Sequence, residues 1–334
     1  MNNQIIYRLF FLERFLAEFH FMDHIDALEA EAIYIFREVA GQFKNAVLLF
    51  SGGKDSTVLI HLAMKAFYPY KLPFVVMHVD TGHNFEEALQ FRDELVARYE
   101  LRLVVRKVAE TIKEKGLEDA KGKFPSRNVL QSHTLLAAIK EHGFDACIGG
   151  GRRDEEKARA KERIFSIRDA NGAWQPYGQR PELWDLYNGS VSNVRNVGNV
   201  RNVVHVERNT KNVRVFPISN WSELDVWQYI RREGIGLPSI YFAHERECLL
   251  HNGRLIAVSE YIEIEPEDVV ERKQVRYRTV GDMTCTAAVE SNAATIDEVI
   301  AEIAASGMSE RGETRIDDQL SDAAMEDRKM KGYF

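Results

Sequence analysis

Cysteine is scarce in this chain, which carries only three cysteines in 334 residues. Cys147, Cys248 and Cys285 lie far apart, and none belongs to a Cys-x-x-Cys pair. This spacing excludes a disulfide framework and a cysteine-rich zinc or iron–sulfur site within the chain. Isolated cysteines are typical of a reducing compartment, so we expect a cytoplasmic protein in which each thiol is buried and inert.

An excess of positive charge is also absent. The formal net charge is −7, so no overall basic field favours nucleic acid or an anionic membrane surface as a partner. Binding of an anionic ligand must therefore depend on local clusters of donors and cations.

Long uncharged apolar runs are missing as well. Residues 1–22 form an N-terminal extension with apolar side chains at helical spacing, but Arg8, Glu13 and Arg14 interrupt it and no small-residue cleavage site follows. The extension is too charged to span a membrane. Two interpretations of residues 1–21 stay open. One is an over-extended reading frame before a natural start at Met22, and the other is an amphipathic helix that packs on a partner.

A glycine-containing loop is the strongest positive signal. Residues 47–50 form an apolar run typical of a buried strand, and a helical pattern covers residues 56–67. Paired glycines leave no Cβ between backbone N–H groups and a phosphate, and the helix dipole favours negative charge by about 0.3–1 kcal/mol. The spacing is shorter than in the common P-loop. The residues of this predicted anion site are Ser51, Gly52, Gly53, Lys54, Asp55 and Ser56.

Strands and helices alternate along the chain. The predicted strands cover residues 46–50, 74–79, 101–105, 146–148 and 213–216. This alternation predicts an open parallel α/β sheet with helices on both faces. Ligands bind such sheets at the carboxyl ends of the strands, so loops 51–56, 80–84 and 149–153 are expected to converge on one crevice. We expect a nucleotide-binding catalytic domain over residues 23–237 and a C-terminal α+β region over residues 238–334.

Two further groups of residues lie at predicted strand ends. Asp80 and Thr81 close the second strand, where a contact to nucleotide or metal is favoured over a plain turn. Gly149, Gly150 and Gly151 end the fourth strand, and a row of cations follows them. These cations are Arg152, Arg153, Lys157, Arg159, Lys161 and Arg163. A solvated helix with ion pairs at i,i+4 spacing explains some of them, whereas adjacent arginines after three glycines favour an anion site.

Several longer motifs resemble one known family. They are His78-Val-Asp-Thr-Gly, Gly150-Gly-Arg-Arg-Asp-Glu-Glu-Lys, Gln179-Arg-Pro-Glu-Leu-Trp, Phe216-Pro-Ile-Ser-Asn-Trp and Ala288-Val-Glu-Ser-Asn. They are similar to the small catalytic subunits of bacterial sulfate adenylyltransferases, and the glycine loop resembles that of the PP-loop ATP pyrophosphatases. The resemblance implies a PP-loop (adenine nucleotide alpha-hydrolase-like) fold that makes adenylyl sulfate and pyrophosphate from ATP and sulfate. It also implies Mg²⁺ with the ATP and a GTPase large subunit as partner.

The resemblance and the charges together assign roles to residues. Sulfate is itself the nucleophile, so no Ser–His or Cys–His pair is required. Lys54, Arg152 and Arg153 are the expected catalytic cations, and Asp55 and Asp80 are candidates for Mg²⁺ or its waters. The expected ATP-binding residues are Ser51, Gly52, Gly53, Asp55, Ser56, Asp80, Thr81, Gly150 and Gly151. The candidates for holding sulfate or the α-phosphate, in no order, are Lys157, Arg159, Lys161 and Arg163.

Two other functions stay open at this point. A thiol-dependent relative, such as a phosphoadenylylsulfate reductase or a tRNA-thiolating enzyme, shares the loop but needs paired or C-terminal catalytic cysteines. A nucleotide-binding regulatory subunit without catalysis is the second. Two segments also depart from the family pattern. Residues 280–288 lack an expected motif, and an Asn-Val-Arg repeat near residues 190–212 is interpreted as an expanded surface loop.

Overall fold

A computed structural model describes residues 22–155, 157–169, 171–174, 179, 181–188 and 212–306. The interpretations of residues 1–21 and of the repeat at 193–204 fall outside these residues. The described helices are α1 (His24–Gln42), α2 (Lys54–Phe67), α3 (Glu86–Arg98), α4 (Val108–Lys115), α5 (Asn128–His142), α6 (Glu223–Glu233) and α7 (Ile296–Ala305). The strands are β1 (Ala46–Leu49), β2 (Val75–Asp80), β3 (Leu103–Lys107), β4 (Ala146–Ile148), β5 (Phe165–Arg168), β6 (Asn212–Val215), β7 (His244–His251), β8 (Arg254–Ala257), β9 (Val270–Arg276) and β10 (Ala287–Glu290).

Six strands form one sheet in the order β3-β2-β1-β4-β6-β5. The first five are parallel; Val47 of β1, for example, is in register with Val75 of β2 and with Cys147 of β4. The sixth strand, β5, runs antiparallel to β6 at the edge. The predicted parallel α/β sheet is therefore confirmed, and β5 is an addition that the sequence did not reveal.

Helices cover both faces of the sheet, as predicted. Successive side chains of a strand point to opposite faces, so Leu48 packs with Phe36 of α1 and Val58 of α2 on one side. Val47 packs with Leu135 of α5 on the other side. Burying each of these side chains contributes about 1.5–3 kcal/mol. The two apolar layers hold the carboxyl ends of the strands in fixed positions.

A capping box at Ser222 begins the helix α6. The Ser222 hydroxyl accepts the N–H of Asp225, and the Asp225 carboxylate accepts the N–H of Ser222, which is a capping box. The helix buries Trp227 and Tyr229, and the preceding Trp221 is buried too. These three aromatic residues therefore belong to the core.

Four antiparallel strands close into a small barrel in the C-terminal region, in the order β10-β8-β7-β9. The sequence indicated an α+β region here but no barrel, because the pairing of β7 with β9 joins segments that are distant in sequence. Several contacts attach this region to the rest of the chain, and two of them involve residues directly after β9. The N–H of Tyr277 donates to the carbonyl of Ile240 at 2.9 Å, and Arg278 forms a buried ion pair of 2.5 Å with Glu223. Every helix in the described ranges is too short or too polar to cross a lipid bilayer.

Candidate active site

A cleft of about 250 Å³ opens at the carboxyl ends of the parallel strands. The strand order reverses between β1 and β4, which is where open α/β sheets bind ligands. Ser51 after β1, Asn84 after β2 and Gly150 after β4 all line the cleft. The three predicted loops thus meet in one crevice.

The loop after β1 is held by its own serines. The N–H of Ser51 donates to Ser56 Oγ and the N–H of Gly53 donates to Ser51 Oγ, both at 3.3 Å. The Ser56 hydroxyl donates to the carbonyl of Gly53 at 2.9 Å. Gly52 has a φ of +80°, and a Cβ there would lie 3.0 Å from the carbonyl oxygen of Ala88, so only glycine fits without strain. The loop therefore places the positive N-terminal end of α2 at the cleft.

Asp55 lies between two buried cations. Lys54 Nζ is 3.2 Å from Asp55 Oδ2 and also donates to the carbonyl of Arg278 at 3.1 Å. The Arg152 guanidinium donates to Asp55 Oδ1. The side chains of Lys54 and Arg152 are 1% and 0% exposed, against 20% for Asp55. Of these three residues only Asp55 lines the cleft. The two cations therefore contact its carboxylate from the buried side.

Asp80 and Thr81 support the cleft from outside its lining. Asp80 Oδ1 accepts the N–H of Gly82 at 2.8 Å, which forms a turn. The Thr81 hydroxyl donates to Asp282 Oδ1 at 2.6 Å, and the Thr81 N–H donates to Asn84 Oδ1 at 3.0 Å. Asn84 and Asp282 do line the cleft. Thr81 therefore fixes two residues that line the cleft, and Asp80 shapes the turn beside them.

The glycines after β4 allow a close approach of three segments. A Cβ at Gly150 would lie 3.0 Å from Cβ of Asp55, and a Cβ at Gly151 would lie 3.1 Å from the ring of Phe216 and against the guanidinium of Arg159. Larger residues at either position would push the glycine loop and the cation segment apart. The triple glycine is thus a packing requirement of the cleft as well as an opening to it.

The structure separates the clustered cations. Arg159 lines the cleft and pairs with Glu155 at 3.0 Å, so the predicted i,i+4 ion pair forms, although Arg159 is buried rather than solvated. The Arg153 guanidinium donates to Asn220 Oδ1 and the carbonyl of Glu162, outside the cleft lining. Of the other candidates for binding sulfate, Lys161 and Arg163 are exposed. The side chain of Lys157 lies outside the described part of the structure.

Several lining residues were missed by the sequence analysis. Tyr241 and residues 279–282 come from the C-terminal region, and Asn128 and Gln131 come from α5. Tyr241 and residues 279–282 carry no motif and reach the cleft only through the docking of the barrel. His78 also lines it; burial lowers the pKa of its ring, and its Nδ1 donates to the carbonyl of Phe50 at 2.8 Å. Asn128 and Gln131 lie three residues apart on α5, which places both amides on one face of the helix.

The three cysteines are buried, as expected. Burial raises the pKa of the Cys147 thiol, and it raises the pKa of Cys248 to about 11. Cys285 Sγ lies 3.8 Å from the carbonyl oxygen of Asp282. None of the three lines the cleft. A thiolate nucleophile is therefore not part of this site.

Comparison with known proteins identifies the family. The phosphoadenosine phosphosulfate reductase domain matches residues 45–288. The chain is 56% identical to sulfate adenylyltransferase subunit 2 of Mycolicibacterium gilvum (strain PYR-GCK), over 94% of this chain and 95% of the relative. It is 54% identical to the protein of the same name from Streptomyces lavendulae, over 94% and 93%. A solved phosphoadenylyl-sulfate reductase from Candida auris gives a TM-score of 0.41 at 16% identity, covering 65% of this chain and 89% of that chain. The chain belongs to the sulfate adenylyltransferase subunit 2 family, within the phosphoadenosine phosphosulfate reductase domain family.

Proposed function

We propose that the chain transfers the adenylyl group of ATP to sulfate, with adenylyl sulfate and pyrophosphate as products. The observation that carries this proposal is the 56% identity, over 94% of the chain, to a relative named sulfate adenylyltransferase subunit 2. The cleft is consistent with it, because it combines a helix N-terminus, backbone-exposing glycines and a cation with an apolar wall.

In this proposal ATP lies across the cleft with its triphosphate toward α2. The β- and γ-phosphates bind the loop 51–56 and the N-terminal end of the helix. The adenine ring packs against the apolar wall made by Leu49, Met77 and Leu135. Asn128 and Gln131, on the same side as Leu135, supply amide groups that can pair with the edge of the base.

Arg159 is the cation that we assign to sulfate. It is the one arginine or lysine that lines the cleft within the described ranges. A dianion must approach a polyanion here, and two unit charges about 4 Å apart repel by about 4 kcal/mol at an effective dielectric of about 20. A guanidinium beside the α-phosphate offsets part of this repulsion and can hold two sulfate oxygens at once. Lys54 and Arg152 add positive potential from behind Asp55.

Mg²⁺ accompanies ATP in this proposal. Mg²⁺ keeps phosphate oxygens and waters as most of its ligands and needs only one or two carboxylates. We assign this role to Asp55, which lines the cleft, rather than to Asp80, whose carboxylate forms a turn with Gly82. When bound, the ion neutralises charge that develops on the leaving pyrophosphate.

The reaction then needs positioning more than a protein nucleophile. A sulfate oxygen attacks the α-phosphorus and forms the new P–O bond. The bond to the oxygen that bridges the α- and β-phosphorus breaks, and its electron pair leaves with pyrophosphate. Preorganised N–H groups and cations stabilise the charge that moves toward the loop 51–56.

The partner that we propose is a GTPase large subunit. The name "subunit 2" of the relatives places each of them in a larger enzyme. The transfer to sulfate is uphill, so coupling to GTP turnover in the partner would drive it. The C-terminal barrel is the region that we expect to complete the cleft or to contact this partner.

Arg159→Ala should weaken sulfate use far more than ATP binding. Losing one charge-assisted contact costs about 1.5–3 kcal/mol, so the KM for sulfate should rise about tenfold to a hundredfold. Steady-state pyrophosphate release at varied sulfate measures this, with the exposed Arg163→Ala as the matched control. A larger rise for Arg153→Ala than for Arg159→Ala would place sulfate at Arg153 instead.

Replacing all three cysteines should leave most of the activity intact. Cys147→Ala, Cys248→Ala and Cys285→Ser together remove every thiol, and transfer to sulfate requires none. Some stability is lost because small cavities form in the core, so circular dichroism precedes the rate measurement. A folded but inactive triple variant that one restored cysteine rescues would favour thiol chemistry.

The proposed function is tested by pyrophosphate release from ATP with and without sulfate, in the presence of the large subunit. We expect release that depends on sulfate and yields adenylyl sulfate in equal amount. ATP binding without any sulfate-dependent product would favour a regulatory nucleotide-binding subunit.

A further inference from the structure

We propose that the hydroxyl of Tyr241 is a ligand of the terminal phosphates, an inference that rests on the proposed function of the cleft. Tyr241 ends the short 3₁₀ helix Ser239–Tyr241, which connects α6 with the barrel. The residue is 1% exposed, yet it belongs to the lining of the cleft. A buried tyrosine hydroxyl usually has a hydrogen-bond partner.

The hydroxyl of Tyr241 is hydrogen-bonded to the N-terminal end of α2. The backbone N–H of Lys54 donates to Tyr241 Oη at 2.8 Å. Lys54 is the first residue of α2, and its N-cap Gly53 has no side chain to serve as a cap. The hydroxyl also lies close to Gly53, where a Cβ would be 3.2 Å from Oη. Tyr241 Oη is therefore bound to an N–H group of the kind that phosphates use at a helix N-terminus.

A phenol in this position can extend the helix N-terminus. Its oxygen accepts one N–H while its own proton is donated to a second partner. With ATP in the cleft, the O–H donates to a phosphate oxygen and the Lys54 N–H polarises it from behind. Such a hydrogen bond to a charged oxygen is stronger than one between neutral groups.

The ring of Tyr241 is fixed well enough to aim the hydroxyl. It packs edge-on against the fully buried Trp227, with ring centroids 5.8 Å apart. Lys54 Nζ lies 6.0 Å from the ring centroid. Because the barrel follows directly after residue 241, its docking and the position of the hydroxyl are linked. The C-terminal region thus contributes a polar group to the phosphate end of the site.

The proposed contact predicts different effects on ligands with and without β- and γ-phosphates. ATP and pyrophosphate carry the groups that the hydroxyl would contact, whereas AMP lacks both the β- and γ-phosphates. Removing the hydroxyl should therefore weaken ATP and pyrophosphate but not AMP. A role of Tyr241 limited to holding the barrel in place would affect all three ligands alike.

Isothermal titration calorimetry on the full chain with Mg²⁺ tests this with Tyr241→Phe. We expect the Kd values for ATP and pyrophosphate to rise about tenfold to a hundredfold, with the Kd for AMP unchanged. The matched control is Tyr277→Phe, which removes the hydroxyl of a buried barrel tyrosine that does not line the cleft. Unchanged ATP affinity in Tyr241→Phe, or an equal loss for AMP, would overturn the proposal. If the unmodified chain shows no sulfate-dependent turnover, the proposed function is refuted. The titrations with ATP, pyrophosphate and AMP would still decide the role of Tyr241.

Discussion

Gly53→Val is expected to reduce sulfate-dependent pyrophosphate release by more than about a hundredfold. Gly53 has a φ of −82°, which valine tolerates, so the backbone itself is not the obstacle. The added Cβ would lie 3.2 Å from Tyr241 Oη and 3.3 Å from Ser51 Oγ, and the two methyl groups would extend beyond it. They would occupy space beside the N–H groups that we assign to the phosphates.

The measurement compares rates and folding in the same preparation. Gly41→Val is the matched control, because a Cβ at Gly41 meets no atom within 4 Å and the site is at the end of α1. Circular dichroism should show native helix content for both variants. Normal turnover by folded Gly53→Val would remove the glycine loop from the mechanism.

Asp55→Asn is expected to destabilise the fold by about 3 kcal/mol, in addition to its effect on activity. The carboxylate lies between the buried Lys54 and Arg152, whose side chains are 1% and 0% exposed. An amide of the same shape removes the negative charge and leaves two buried cations near each other. Removing one member of a buried charged group costs more than the pair contributes, because the remaining charges stay desolvated.

Thermal and urea unfolding measure this change in the free energy of unfolding. The control is Glu100→Gln, which breaks the exposed pair with Lys71, whose side chains are 74% and 85% exposed. Surface pairs of this kind contribute little, so its unfolding curve should match that of the unmodified chain. An Asp55→Asn variant as stable as the Glu100→Gln control would mean that the Lys54–Asp55–Arg152 contacts do not hold the loop.

The convergence of the loops was predictable because it follows from local rules. Glycines after apolar strands and the geometry of parallel sheets place Ser51, Asn84 and Gly150 at one edge without tertiary knowledge. Element ends were less predictable. The helix α2 begins at Lys54 rather than at residue 56, because backbone hydrogen bonds continue through residues that break the apolar pattern.

The roles of the cations were not predictable from spacing. Arg152 is directed to Asp55, a partner 97 residues away in sequence, and only the packing of two strands brings them together. The 3₁₀ helix Lys157–Lys161 then leaves Arg159 in the cleft while Lys161 is exposed. The barrel was missed because the pairing of β7 with β9 is non-local. The β7–β8 hairpin turns at Asn252-Gly253, which is a local signal in the sequence.

Labelled sulfate tests the central claim most directly. The reaction contains the chain, its large subunit, ATP and sulfate that carries ¹⁸O in all four positions. Mass spectrometry then measures the ¹⁸O content of each product. Direct attack of sulfate on the α-phosphorus predicts adenylyl sulfate that retains all four labelled oxygens and pyrophosphate that contains none. Label in pyrophosphate, or AMP and pyrophosphate formed without labelled adenylyl sulfate, would contradict the proposed transfer.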